Sequence, residues 1–326
     1  MKIFKRYNNH SGIALMIVLW VLVLLIALAT EFAYSMKGEV NATKNFKEDI
    51  EAYHLAKAGI NLAMAEVLYP ASFHALHKDH GLVSGKLISG FKKDNPEINN
   101  NPYRIPVRTN IQFGRGTITY TLEDENKKIP INKTTRNILV KVLTLSGVDA
   151  GENKDIIADS ILDWIDADKN HRLNGAESEF YQGLIPPYFP KNAPIENLDE
   201  LIKIRGIDKN ILYGTDQHPG LNQFFTVYNV ERVNPNTSSL EILSAAFSLP
   251  QAKMILKKRE KTGFYDDTKS NYFKVTSTGK IEGSPTNHTI VAVMQKILKK
   301  NNPIILTHYW NDNSFLNTYN PEQETN

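Results

Sequence analysis

The pattern of apolar and polar positions divides the chain into regions of different periodicity. An apolar run from Ile13 to Thr30 extends over 18 residues without a charge or a proline. As a helix it would cover roughly 27 Å, close to the hydrocarbon thickness of a bilayer. Over residues 31–69 apolar side chains recur at helical spacing among Lys and Glu, which predicts an amphipathic continuation as the same helix or a second, nearly continuous one.

The periodicity changes beyond Pro70. No clear period is visible as far as Asn101, which predicts a loop, whereas strict alternation around Thr117–Leu122 predicts a strand. Helical spacing then dominates until strand patterns return in "YFKVTSTGKIEG" and "NHTIVAVMQKIL". The order sheet, helices, sheet predicts a small α+β domain that carries a helical insertion. The predicted units are a leader (1–12), a transmembrane helix (13–30), its amphipathic continuation (31–69), the first part of the α+β domain (70–132), an inserted α-helical domain (133–268), the C-terminal strands (269–300) and a surface tail (301–326).

Charge and composition restrict where the body of the chain resides. Lys2, Lys5 and Arg6 precede the apolar run, and positive residues beside a first span tend to stay in the cytoplasm, so the polar remainder is expected on the other side. The chain has no cysteine, and therefore its stability after export must come from packing or a bound metal. The net charge of +3 over 326 residues gives no argument for nucleic acid or an anionic surface.

A secretory signal peptide or a plain membrane anchor is the ordinary interpretation of such an N-terminus. The apolar run is longer than the roughly 7–15 residues of a secretory signal, and its small residue, Gly12, stands before the run rather than after it. A different kind of processing signal is therefore indicated.

The basic leader, Gly12, the apolar helix and its amphipathic extension resemble the class III signal of type IV pilins and of the pseudopilins of type II secretion. The resemblance implies that a prepilin peptidase cuts between Gly12 and Ile13 and methylates the new amino terminus. These proteins usually carry glutamate at the fifth mature position, where this chain has Ile17.

The central segments resemble the largest minor pseudopilin family, general secretion pathway protein K. "DSILDWIDAD", "LNGAESEFY", "NAPIENLDELIKIRGI" and "NVERVNPNTSSLEILSAA" follow one another in the order of that family. The resemblance implies an α+β fold with a long N-terminal transmembrane helix, a small antiparallel-sheet domain and a large all-α insertion containing helix-hairpin-helix-like units. It also implies a single-pass protein of the inner membrane with its C-terminal body in the periplasm.

An acidic stretch, "DADKNHRLNGAE", is the strongest candidate for chemistry. Asp166, Asp168, Asn170, Arg172 and Glu177 fall on positions 1, 3, 5, 7 and 12 of an EF-hand calcium loop, with the residue at position 7 supplying its carbonyl. Position 6 has His171 instead of the usual glycine, which predicts a non-standard loop, and a solvated acidic loop is the alternative. The resemblance implies one or two calcium ions. The candidate ligands are Asp163, Asp166, Asp168, Asn170, Arg172, Asn174, Glu177 and Glu179.

Other chemistry receives little support from the sequence. The second helix-hairpin-helix-like unit has Phe247–Pro250 at its hairpin, without the glycines that allow close approach to a phosphate, so no nucleic-acid partner is expected. No hydrolase motif occurs and no thiol is available, so the chain is expected not to be an enzyme. The alternative is a membrane-anchored periplasmic hydrolase or nuclease that uses the acidic residues to bind a metal.

Ile17 gives the function hypothesis its physical basis. The resemblance implies that a carboxylate at the fifth mature position lies buried among apolar helices and pairs with the amino terminus of the neighbouring subunit on the tip side. An unpaired buried charge is costly, so a subunit with no neighbour above it should not carry one. The sequence therefore predicts a minor pseudopilin of type II secretion that caps the pseudopilus tip and helps initiate assembly. The expected partners are other minor pseudopilins, prepilin peptidase, the inner membrane and exported substrates.

Overall fold

The computed structural model describes residues 10–68, 108–148, 151–262, 265–266, 268, 270–299 and 302–312. The predicted leader as far as residue 9, the predicted loop after Pro70 and the last part of the predicted tail lie outside these residues.

Helix α1 (His10–Leu68) is continuous over 59 residues and includes both predicted helical regions. Among the described residues it is the helix that is long and apolar enough to cross a membrane, and its most apolar window is wholly exposed. Gly12, Ile13 and Ile17 lie in its first turns, where both isoleucines are 59% exposed. The apolar first half of α1 therefore needs lipid or other helices around it.

The second half of α1 packs on a sheet. The strands are β1 (Ile111–Phe113), β2 (Gly116–Asp124), β5 (Tyr272–Ile281), β6 (Asn287–Lys299) and β7 (Asn302–Asn311). Within the described residues they form a five-stranded sheet in the order β1-β2-β5-β6-β7, and every pair is antiparallel. This confirms the antiparallel sheet and the strands that alternation predicted. The sheet and the packed part of α1 are called the sheet domain.

Small residues on α1 allow the helix to lie close to the sheet. Ala52, Ala56 and Ala63 are fully buried on one face together with Ile60 and Val67. Gly279 of β5 lies beneath this face, and a Cβ atom there would collide with the backbone of α1. The sheet domain is thus stabilised by apolar packing at close range.

A buried carboxylate also joins α1 to the sheet domain. Glu66 is fully buried and accepts hydrogen bonds from the guanidinium of Arg108 and, at 3.0 Å, from the hydroxyl of Tyr120. Burial, together with the adjacent Glu66 carboxylate, raises the pKa of Tyr120, so the phenol stays protonated and donates.

The C-terminal part corrects one prediction. The surface tail expected over 301–326 begins instead with strand β7, which pairs with β6 along its whole length. Most side chains of this edge strand are exposed or half-buried, although Ile305 packs against the core of the sheet domain. No residue of β7 is fully buried and burial does not alternate along the strand, so its sequence carries no period of two to predict it.

The chain leaves the sheet after β2 and returns at β5, and the residues between, 125–271, are called the helical insert. Its elements are β3 (Ile129–Pro130), α2 (Arg136–Leu145), α3 (Glu152–Ile165), α4 (Ser178–Gln182), α5 (Lys209–Tyr213), α6 (Leu221–Phe224), β4 (Phe225–Thr226), α7 (Leu240–Ala246) and α8 (Leu249–Thr262), with 3₁₀ turns at Glu125–Lys127, Ile131–Lys133 and Leu198–Lys203. Strands β3 and β4 pair in parallel, and the insert has its own apolar core. The predicted helical insertion is confirmed.

A buried polar junction joins the insert to the sheet. Asp124, at the end of β2, accepts hydrogen bonds from the backbone N–H of Asn126 (2.7 Å) and the hydroxyls of Thr237 (2.5 Å) and Ser270 (2.6 Å). Burial raises the pKa of Asp124 to about 6, against these three hydrogen bonds, which favour the ionised form. The contacts of Asp124 with Thr237 and Ser270 therefore link segments that are distant in sequence.

The junction lies at the end of the sheet that is farther from the membrane helix. At this end Tyr272 pairs with Gln295, and the adjacent Lys296 Nζ donates to the carbonyl of Val67 (2.7 Å), near the C-terminus of α1. At the opposite end Ser284 donates to Glu48 (2.7 Å). Glu48 and Val67 are separated by roughly 28 Å along a helix, so the insert emerges on the side away from the apolar run.

Candidate metal centre

The end of α3, the loop after it and the start of α4 bring several acidic residues together. Asp163 lies on the buried face of α3, Asp166 follows the last residue of that helix, and Glu177 precedes the first residue of α4. Asn192, from the segment after α4, closes the group. These four residues and Arg172 are called the acid loop.

Arg172 partly neutralises the acid loop. Its Nη1 atom donates to Asp163 Oδ1 (2.5 Å) and to Asp166 Oδ2 (2.6 Å), and its backbone N–H points to both carboxylate oxygens of Asp163 (3.3 and 3.1 Å). Gly175 packs so closely against Asp163 that a Cβ atom there would collide with the carboxylate. The Asp163 side chain, which is wholly inaccessible, is therefore held by both the arginine and the loop backbone.

Three oxygen atoms of the acid loop are buried and lack a hydrogen-bond partner among the described residues. They are Asp166 Oδ1, Glu177 Oε1 and Asn192 Oδ1. The amide nitrogen of Asn192 donates to the carbonyl of Asp168 (2.7 Å) and to Glu177 Oε2 (3.2 Å), which places its oxygen in the same group. Buried acceptors are normally satisfied, so three together indicate a missing cation or donor.

The charges of the acid loop influence one another. Burial raises the pKa of Asp163, opposed chiefly by hydrogen bonds from Arg172, and Asp166 adds to the rise. Burial also raises the pKa of Glu177, and the nearby carboxylates of Asp163 and Asp166 add to it. A bound cation would relieve both the desolvation and the repulsion.

The remaining predicted ligands are exposed at the surface or already make hydrogen bonds to other groups. Asp168, Asn170 and Glu179 are exposed, and Asp168 Oδ1 accepts the backbone N–H of Asn170 (2.8 Å). The Arg172 carbonyl, assigned to position 7 of an EF-hand, accepts from the backbone N–H of Gly175 (3.0 Å). Asn174 donates to Asp159 (3.2 Å). The loop therefore differs from an EF-hand arrangement.

Asn192 is the member of the acid loop that sequence analysis missed. It lies outside the acidic stretch and adopts a positive φ of 46°, a conformation that asparagine tolerates better than most residues. An asparagine two residues before Pro194 was the available signal, but it carries no information about which loop it contacts.

The oxygen donors of the acid loop are of the kind that a hard cation binds. They do not form a coordination site that is already arranged around an ion. Within the described residues, no group of three or more His, Cys, Asp or Glu side chains is arranged to hold a metal ion. The orphaned oxygens come from two carboxylates and an amide, which are typical ligands of Ca²⁺. Arg172 occupies part of the space between the carboxylates in this arrangement.

Comparison with known proteins shows which family the chain resembles. Residues 120–214 match the family model described as type II secretion system (T2SS), protein K. A putative type II secretion system protein K of Escherichia coli K12 is 27% identical over 217 residues, which cover 63% of this chain and 60% of that protein. The type II secretion system protein K of Klebsiella pneumoniae is 25% identical, covering 79% of this chain and 77% of its own. The chain is therefore similar to the type II secretion system protein K family, and the family's domain matches residues 120–214.

A solved structure extends the protein K relationship to the fold. A chain in the crystal structure of the GspK-GspI-GspJ complex from enterotoxigenic Escherichia coli superposes with a TM-score of 0.56 at 17% identity, covering 84% of this chain and 99% of that one. The fold of this chain is therefore shared, over that coverage, with a chain of known structure. The alternative of a periplasmic hydrolase or nuclease gains no support from these relatives.

Proposed function

We propose that the protein is a minor pseudopilin that caps the tip of the type II secretion pseudopilus and helps initiate its assembly for export of folded proteins. The observation that carries this proposal is the position of the helical insert. It joins the sheet beside Val67, at the end opposite to the apolar half of α1. A body of this size on the distal side would obstruct a further subunit stacking above.

The apolar face of α1 supports the same location. Ile17 is 59% exposed in the isolated chain and sits where a shaft subunit carries glutamate. A buried carboxylate without a partner costs several kcal/mol. In a subunit with no neighbour above it, an apolar side chain at position 17 is therefore more stable than a glutamate. The free amine of a mature Ile13 would still be available to the subunit below.

The proposed partners are other minor pseudopilins in the filament. The related chain of known structure was crystallised in complex with two further proteins of its secretion system, which supports an assembly role rather than an enzymatic one. The proposed location is the inner membrane, crossed once by α1, with the sheet domain and the insert in the periplasm. Prepilin peptidase would process the chain between Gly12 and Ile13, and exported proteins are further candidate ligands of the insert.

The proposed cofactor is calcium, bound at the acid loop. Asp166, Glu177 and Asn192 would supply the oxygens that lack partners, with Asp163 adding charge from the helix. Bound calcium would neutralise the buried carboxylates and connect the end of α3 to the start of α4. The orphaned oxygens support a single ion, and Asp168, Asn170, Asn174 and Glu179 remain candidate ligands for a second.

Localisation of the subunit within assembled pseudopili tests the tip role. The chain would be labelled with an epitope and counted along pseudopili beside the major subunit. We expect label at one end of each filament, and Ile17→Glu should weaken this end preference because it restores a charge that needs a partner above. Wild-type label distributed along the shaft, in numbers like the major subunit, would overturn the proposal.

Processing is tested separately by mass spectrometry of the mature amino terminus. We expect an N-methylated Ile13, and Gly12→Val should prevent cleavage because a branched side chain obstructs the peptidase at that bond. An intact Met1 in the wild type, or cleavage near Thr30, would exclude this processing while leaving the acid loop unaffected.

A further inference from the structure

Arg172 occupies the acid loop in the way a metal ion would. One nitrogen atom, Nη1, contacts carboxylate oxygens of both Asp163 and Asp166, at 2.5 and 2.6 Å. Asp163 is anchored on α3 and fully inaccessible, whereas 38% of the Arg172 side chain is exposed. The positive charge thus comes from the more exposed partner of the pair, and the negative charge from the buried one.

The guanidinium and a calcium ion cannot occupy the same space between these carboxylates. Calcium requires six to eight oxygen ligands at about 2.3–2.6 Å, and a second positive charge at that distance is strongly repelled. The free oxygen of Asp166 lies on the same carboxylate that Arg172 holds through its other oxygen. Calcium that uses both Asp163 and Asp166 must therefore replace the guanidinium.

Replacement of Arg172 requires little rearrangement of the insert. The next residue, Leu173, is 92% exposed, so the chain at this point lies at the surface rather than in the core. The guanidinium can rotate into water, where an arginine is well solvated, while the backbone N–H of Arg172 keeps its contact with Asp163. Release of the guanidinium would therefore leave the backbone contact with Asp163 in place.

We propose that Arg172 is an internal counter-ion of the acid loop, which holds the loop closed without calcium and is displaced when calcium binds. This inference rests on the proposed calcium site. It implies that binding is an exchange of cations: the calcium-free insert keeps its fold, and the affinity for calcium is lower than the oxygen ligands alone would give.

The test uses the full chain in detergent micelles, treated with chelator and then titrated with calcium chloride. In Arg172→Gln we expect the melting temperature in chelator to fall, because Asp163 loses its counter-ion, and the melting temperature at saturating calcium to stay near that of the wild type. The calcium Kd should become tighter by roughly tenfold or more, since the ion no longer competes with the guanidinium.

Arg136→Gln is the matched control. Arg136 also bridges two carboxylates of the insert, Asp155 (2.5 Å) and Asp159 (2.7 Å), outside the acid loop. Its loss should lower the melting temperature equally with and without calcium and leave the Kd unchanged. Equal changes in Kd for both variants would show a general charge effect and overturn the specific role of Arg172.

Arg172→Lys covers the case in which Arg172→Gln does not fold in chelator. A compact ammonium group is less able to span two carboxylates than a guanidinium, so calcium should bind this variant more tightly than the wild type by a smaller factor. Wild-type binding with an unchanged or weaker Kd in the Arg172 variants would overturn the exchange alone. Absence of calcium binding in the wild type and in all variants would overturn both the proposed calcium site and the proposed exchange.

Discussion

The sheet domain and the helical insert both bury a carboxylate beside an arginine, with different results. In the sheet domain, Glu66 accepts from Arg108 and Tyr120, which join α1 to the start of the sheet. In the insert, Arg172 bridges Asp163 and Asp166, but oxygens of Asp166 and Glu177 remain without described partners.

This difference indicates which domain depends on a ligand. Buried polar groups that satisfy one another stabilise a fold in any solution, whereas unsatisfied acceptors lower its stability until a donor or a cation arrives. The sheet domain should therefore be indifferent to calcium and the insert sensitive to it.

The largest effect is expected from a substitution that disrupts the packing of α1 on the sheet and leaves the acid loop intact. Gly279→Ala places a Cβ atom against the backbone of α1 at Ala52 and Ala56, which must move, so we expect a loss of roughly 3 kcal/mol in the free energy of unfolding. Gly38→Ala on the same helix, where a Cβ atom has open space, is the control. Thermal unfolding of the full chain measures both, and a calcium-induced stabilisation altered by Gly279→Ala would contradict the independence of the two domains.

The next effect concerns the insert. Calcium at a hundredfold excess over its Kd should stabilise the wild type by roughly 2.7 kcal/mol, and chelation should remove that gain. Asp166→Ala combined with Glu177→Ala should abolish the response, because two of the three orphaned oxygens are lost. Melting temperatures with calcium and with chelator test this, and indifference of the wild type to both additions counts against the metal assignment.

A smaller effect is expected from pH at the junction between the two domains. Burial holds the folded-state pKa of Asp124 at about 6, above the ordinary value of 3.8, so the stability gained from its neutral form is complete below about pH 4 and is lost as the pH rises through 6. The loss amounts to at most 2–3 kcal/mol, by about 1.4 kcal/mol per pKa unit. Asp124→Asn should flatten the stability profile between pH 4 and 7 measured in chelator. An identical profile in the variant would show that Asp124 does not titrate in this range.

The smallest expected effect is found by comparing substitutions of two nearby glutamates, Glu177 and Glu179. Glu177→Gln should weaken the calcium response because its side chain is buried in the acid loop, whereas Glu179→Gln, on an exposed residue of α4, should change stability by less than about 0.5 kcal/mol. Calorimetric titration of both variants provides the comparison. A larger loss of affinity in Glu179→Gln would transfer the site to the outer face of α4.

More of the fold than of the acid loop could be predicted from the sequence. The length of α1 and the strands β2, β5 and β6 follow from periodicity, because burial of one face imposes a regular spacing. Strand β7 does not follow from periodicity, because none of its residues is fully buried and its burial does not alternate.

The acid loop depends on contacts between segments, which a local pattern does not encode. The spacing of Asp166 and Glu177 indicated a calcium loop, but Asn192 enters from a segment beyond α4, and it takes its place through hydrogen bonds to Asp168 and Glu177. The ion pairs of Arg172 were likewise hidden, because the EF-hand pattern assigned only its carbonyl a role.

Calcium titration of the chelator-treated full chain, wild type beside Asn192→Ala, tests the central claim most directly. The account predicts saturable binding of at least one ion by the wild type and roughly tenfold or greater weakening in Asn192→Ala, because the variant lacks one of the three unsatisfied oxygens. Absence of saturable binding by the wild type, or an unchanged Kd in Asn192→Ala, would contradict it.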